Sequence, residues 1–242
     1  MIKIDGFKGF DWITMEFIIE GMRNPMNSWH KSDSDLRCDC DCDCDKDNCP
    51  YHNEYINCFD GYVVGPNDKD LMKRLFKGGE EHRKFMRMMP VYLCITAPLY
   101  WWKEFDTYKI GTVANSCSTM HKIVAKKFTL DDFSHEHLSA PVIDVLNYTI
   151  LALNNLRELY ISTKSKEDWY QMIQLLPSSY NQTRNVMVNY EVLANIYRQR
   201  KNHKLDEWRG FCDYISTNLP LNFLITGEFD DEKDDKDQTE TV

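Results

Sequence analysis

The run Arg37-Cys-Asp-Cys-Asp-Cys-Asp-Cys-Asp places Cys38, Cys40, Cys42 and Cys44 on alternate residues, and Cys49, His52 and Cys58 follow. Six of the nine cysteines and one of the seven histidines therefore crowd into one short stretch. Thiolates and imidazole are zinc ligands, so these seven side chains are the candidate metal site, with zinc the expected ion. The spacing differs from that of a zinc knuckle, which keeps two residues between paired ligands, whereas alternate residues of an extended chain share one face. Flanking aspartates also raise a thiol pKa unless a cation is present. The competing reading is a solvated loop with reduced thiols. A second chemistry-bearing stretch runs from Ile95 to Ile123. An apolar strand feeds Ala97-Pro98, aromatic residues follow, and Thr112 to His121 is rich in hydroxyls. Backbone amides and hydroxyls at such a junction suit an anion. The same pattern also describes an aromatic core helix with its exit loop. Cys117, between Ser116 and Ser118, has no adjacent base in the sequence to make it a nucleophile.

The elements that must position these groups follow from periodicity and punctuation. Leu71, Leu75 and Phe76 recur at helical spacing from about residue 66 and stop at Gly78-Gly79. Residues 88–96 read as a buried strand with Pro90 near its start, and Pro98 opens a helix from Leu99 to about Lys109. Pro141 starts a helix over 142–161 whose broad apolar face marks it as the central packing helix. Ser165 with Asp168 resembles a capping box before a helix that Pro177 stops. Long helices are expected from about Tyr180 to Arg200 and from about Asp206 to Thr217. Residues 31–60 read as an insertion, and the acidic stretch 228–242 as a disordered tail on a single domain of residues 1–227.

The chain has 242 residues and a formal charge of −9, but the acid is uneven. Residues 31–60 and 228–242 each carry a net −6, leaving the remaining body at +3. A weakly basic body suits a nucleotide-sized anion, and no basic stripe or recognition-helix pattern suggests duplex DNA. The hydrophobic share of 43% is ordinary, and no apolar run is long enough to cross a bilayer. The N-terminus shows no charged region leading into an apolar stretch. A soluble, cytoplasmic protein without membrane partners is expected.

Two blocks of this sequence resemble the flavin-dependent thymidylate synthases. Laid from Ala97-Pro98, Lys103-Glu104 stands at that family's Arg-Gln, Thr107-Tyr108-Lys109 at Arg-His-Arg, Thr112 at the following Ser, and Cys117-Ser118-Thr119-Met120 at Ser-Gly-Arg-Tyr. Downstream, Leu176-Pro177, Val188-Asn189, Arg200, and His203 with Glu207 resemble its Leu-Pro, Val-Asn, Leu-Arg and His-Ala-Gln-x-Glu, with one residue deleted before His203. The resemblance implies an α+β fold with an antiparallel sheet and long packed helices. It also implies reductive methylation of dUMP to dTMP, with FAD as cofactor, NADPH and methylenetetrahydrofolate as co-substrates, and a homotetramer.

Carried over residue by residue, the resemblance assigns Tyr108, Lys109, Asn189 and His203 to the flavin, while the residues themselves read equally as an Asn189 amide paired with a backbone group and, for His203, as a cap just past a helix end. Lys103, Glu104, Cys117, Ser118, Thr119 and Arg200 fall to the pyrimidine nucleotide. Arg200 is the candidate catalytic residue, because a guanidinium near a helix end can clamp phosphate or polarise a pyrimidine carbonyl. Two cations of the flavin segment are replaced by Thr107 and Tyr108, and the first nucleotide arginine by Thr119, which offers no bidentate phosphate contact. The departures motivate two other readings: a related flavoenzyme acting on a different pyrimidine nucleotide, and a non-catalytic binding or assembly protein with a metal-stabilised cysteine-rich element.

Overall fold

The computed structural model describes residues 2–9, 12–37 and 61–229. Strand β1 (Lys3–Lys8) and helix α1 (Trp12–Arg23) lead to a small ribbon of β2 (Asp35–Arg37) and β3 (Gly61–Val63), then α2 (Pro66–Lys77) and α3 (Lys84–Arg87). β4 (Pro90–Pro98), α4 (Leu99–Phe105) and β5 (Val113–Ser116) follow, then α5 (Ala140–Thr163) and α6 (Lys166–Leu175). The chain closes with β6 (Asn181–Asn189), α7 (Tyr190–Arg200), α8 (Asp206–Asn218) and α9 (Phe223–Thr226). β1, β4, β6 and β5 form an antiparallel sheet in that order, so the architecture is α+β.

The sheet's two central strands set the geometry. β4 and β6 pair over nine residues, from Pro90 opposite Asn189 to Pro98 opposite Asn181. Val91, Leu93, Ile95 and Ala97 alternate inward, facing Val186 and Val188 across the pair. α4 leaves one end of this pair and α7 leaves the other. At roughly 1.5 Å per helical residue against 3.4 Å per strand residue, two such helices lying on one face of the pair meet near their C-terminal ends. The face they cover is the main core, in which Trp101, Trp102, Phe105, Trp208 and Phe211 are fully buried. Rings of this kind each remove roughly 150–250 Å² from water.

Several expectations change here. The helix expected over 180–200 is strand β6 followed by α7, because Val186 and Val188 repeat with period two and pair with β4, and a helical register would break that alternation. The aromatic helix ends at Phe105 rather than near Lys109, since Thr107 Oγ1 donates to the Glu104 carbonyl at 2.7 Å and closes the turn. α5 is not the central packing helix: Leu146, Ile150 and Leu153 join α6 and the 123–133 loop in a second, smaller core. Ser165 does cap α6, accepting from Glu167 N, but the Asp168 carboxylate accepts from Thr163 Oγ1 instead of closing a box. β1 and β5 are short strands that the apolar pattern did not announce.

The Asp68 carboxylate anchors residues 32–34 to the body, accepting from the Ser32 and Ser34 hydroxyls and from Asp33 N. The candidate metal ligands Cys38, Cys40, Cys42, Cys44, Cys49, His52 and Cys58 lie outside the described residues, as does 230–242 of the acidic tail. Among the described residues, no group of histidine, cysteine or acidic side chains is placed to hold a metal ion, and no helix is long and apolar enough to cross a membrane.

Candidate functional site

Where α4 and α7 meet, one carboxylate gathers the neighbouring donors. Glu104 Oε2 accepts from Arg200 Nη1 at 2.9 Å and from Trp208 Nε1 at 2.8 Å, and His203 Nε2 stands 3.6 Å away. Arg200 Nε donates to the Tyr108 hydroxyl at 3.0 Å, and that hydroxyl donates to Gln199 Oε1 at 2.8 Å. The guanidinium lies 4.8 Å from the Trp208 ring centre and 5.8 Å from that of Tyr108. Arg200 and His203 sit at the negative end of the α7 dipole, where cations are favoured, and Arg200 also offsets the unfavourable placement of Glu104 in the last turn of α4. Arg200 Nη2 has no partner among the described residues. The cluster can therefore present a hydrogen-bond donor on a fixed cation to an incoming anion or carbonyl.

His203 combines two roles. Its backbone N–H closes the turn after α7 onto the Arg200 carbonyl, and its Nδ1 accepts from Leu205 N at 3.2 Å. That acceptor role leaves Nε2 to carry the proton facing Glu104.

Asn189 is the N-cap of α7, not a mid-helix residue: its Oδ1 accepts from Val192 N at 3.0 Å. Its Nδ2 has no hydrogen-bond partner among the described residues and packs against Gly111. Gly111 has φ +75, and a Cβ there would fall 2.6 Å from Asn189 Nδ2. The next residue, Thr112, has a buried Oγ1 without a partner among the described residues. An unpaired hydroxyl and a free amide donor beside a glycine-opened surface fit the polar edge of a flavin, with the exposed Lys109 close by in the chain.

The other sequence-selected residues do not join the cluster. Lys103 and Lys109 are exposed. Cys117 is an exposed free thiol whose backbone N–H donates to Thr183 O and whose carbonyl accepts from Gln182 Nε2. Ser118 Oγ is occupied within its own turn, accepting from His121 N at 2.9 Å, and Thr119 is half-buried in the same loop. Two hydrogen bonds connect this loop to α4, because the Gln182 carbonyl accepts from Trp102 Nε1. Glu207 is structural: it is buried and accepts from the Tyr100 hydroxyl, and burial together with that carboxylate pushes the phenol pKa up. Sequence reasoning missed Trp208 and Gln199, the two residues that fix Glu104 and Tyr108. The only signal was that a buried indole N–H needs an acceptor.

No family model and no curated protein matches the chain. Solved structures do. Flavin-dependent thymidylate synthase ThyX from Helicobacter pylori, complexed with FAD and dUMP, superposes with a TM-score of 0.58 at 16% identity, covering 93% of this chain and 98% of that one. A second structure of ThyX from the same organism with FAD and dUMP gives 0.57 at 16% identity, covering 92% and 94%. The fold is that of flavin-dependent thymidylate synthase. The likeness extends over almost the whole chain, whose described residues form an α+β core with a four-stranded antiparallel sheet.

Proposed function

We propose that this chain is a flavin-dependent thymidylate synthase-type enzyme that binds FAD and a pyrimidine nucleotide and carries out reductive methylation of dUMP to dTMP. One observation carries the reading: Glu104, Tyr108, Arg200 and His203, drawn from two distant blocks, converge in a fold shared with proteins solved with FAD and dUMP. Arg200 orients the pyrimidine through Nη2, and Glu104, Tyr108 and the Trp208 ring hold its guanidinium plane. Asn189 Nδ2, Thr112 Oγ1, Lys109 and the His203 edge would hold the flavin. Bound FAD supplies the redox chemistry, with NADPH as reductant and methylenetetrahydrofolate as carbon donor.

The unit assigned to this work is residues 1–227, with 31–60 as an insertion and 228–242 as a tail, acting in the cytoplasm as a homotetramer. Uncovered apolar side chains support assembly: Tyr148 is 74% exposed and Val145 63% exposed on α5. A changed pyrimidine nucleotide is the second reading, favoured by Thr119 standing where the resemblance expects arginine. The test is the visible spectrum of the purified protein after FAD addition and removal of the excess. A retained flavin band followed by dUMP turnover is expected, and a colourless protein overturns the reading.

A further inference from the structure

The loop that lacks a phosphate-binding arginine borders a cavity that has cations. Residues 117–121 are fixed on two sides. Cys117 is tied to β6, and Trp169 Nε1 of α6 donates to the Met120 carbonyl at 2.9 Å. Between the loop and the α5–α6 turn lies a cavity of about 250 Å³, bordered by His121, Tyr160, Lys164, Lys166 and Trp169. Among the described residues, no carboxylate lines it. By contrast, the cavity beside β1 is lined by Glu136, Asp206 and Glu207.

The two lysines are placed by the backbone. Lys164 caps α5 in the left-handed region, φ 58, with its N–H on the Tyr160 carbonyl at 2.8 Å. Lys166 opens α6 immediately after the Ser165 cap. Neither ammonium has a carboxylate partner among the described residues. Instead, Lys164 Nζ lies 5.7 Å from the Tyr160 ring and Lys166 Nζ lies 5.4 Å from the Tyr170 ring. Lys164, Lys166, His121 and the first turn of a ten-residue helix thus border one cavity together with Tyr160 and Trp169. Such a surface favours a phosphomonoester joined to an apolar or aromatic body.

We propose that Lys164 and Lys166 bind the phosphate of the pyrimidine nucleotide, supplying the charge that Thr119 cannot. The inference rests on the proposed pyrimidine-nucleotide reading for the identity of the ligand. It does not rest on that reading for the phosphate chemistry.

The experiment compares the full chain with the Lys164→Gln/Lys166→Gln variant, using calorimetric titration with dUMP and with deoxyuridine. Glutamine removes the charge and keeps a polar side chain at both positions, and both lysines are exposed, so thermal unfolding should be unchanged. The expected result is a loss of dUMP affinity of roughly tenfold for each lysine, with deoxyuridine binding unaltered. Lys127→Gln, an exposed lysine outside the cavity, controls for general charge and should leave both affinities unchanged. Equal dUMP affinity in the double variant and the parent overturns the proposal. If the parent binds no dUMP, the enzyme reading fails separately, and inorganic phosphate decides the cavity by NMR. Shifts at the Trp169 indole and His121 ring that vanish in the double variant support the phosphate site. Their absence in the parent overturns it.

Discussion

Two arginine–carboxylate pairs in this molecule use the same chemistry for different ends. Arg23 and Asp68 are 4% and 0% exposed in their side chains, and their hydrogen bonds close on the protein itself. Arg23 Nε donates to Asp68 Oδ1 at 2.6 Å, Nη1 to the Ser28 carbonyl at 3.2 Å and Nη2 to the Lys31 carbonyl at 3.0 Å. Arg200 and Glu104 are 19% and 35% exposed, and one guanidinium nitrogen has no partner among the described residues. A buried, saturated pair fixes the chain path between α1, α2 and the 32–34 segment. A half-open pair holds a cation in place while leaving it able to meet a ligand.

The largest expected effect tests the closed pair. Asp68→Ala strands the Arg23 guanidinium in a dry site and should cost about 3–5 kcal/mol in urea unfolding. Glu104→Gln keeps an acceptor for the Trp208 N–H at a half-exposed position and should cost under about 1 kcal/mol. Comparable losses in the two variants would erase the distinction between them. Arg200→Lys acts on the open pair. It keeps the charge but loses the planar fork that reaches Tyr108 and Glu104 together, so nucleotide binding should weaken roughly tenfold or more while stability changes little. A variant that unfolds early but binds as before would assign Arg200 to structure.

The same contrast explains what could be read from the chain alone. α2, α5, α6 and α8 were legible because apolar spacing and the punctuation at Gly78, Pro141, Ser165 and Pro177 agree with one another. β6 was not, because Arg184 occupies an inward position opposite Ile95 and hides the alternation. Its guanidinium is stabilised only after folding, by Asp106 at 2.7 Å and by the Trp102 ring at 4.3 Å. β5, Val113 to Ser116, is exposed along its whole length and carries no burial signal. For the site, the resemblance picked out Glu104, Tyr108, Arg200 and His203, but composition and spacing could not bring them together. Their convergence is a property of two helices launched from opposite ends of β4 and β6. Arg23 and Asp68 lie 45 residues apart and left no local signature at all.

The smallest predicted effect sharpens the comparison through pH. Burial opposes ionisation of Asp68, yet the Ser34 and Ser32 hydroxyls and the Arg23 guanidinium outweigh it and hold the carboxyl below its ordinary value of 3.8. Between the folded and unfolded values, the unfolded chain binds more protons, so stability rises with pH in that window. The stabilisation is complete above the unfolded value and is lost as pH falls through the folded one. One such group contributes a slope of at most about 1.4 kcal/mol per pH unit. Asp68→Asn removes the titration. Relative to its own value at about pH 5, the parent should therefore lose more stability than the variant on acidification to about pH 3. Parallel acid profiles for the two proteins would show that the closed pair is not a determinant of acid stability, and burial alone would then no longer separate it from Glu104 and Arg200.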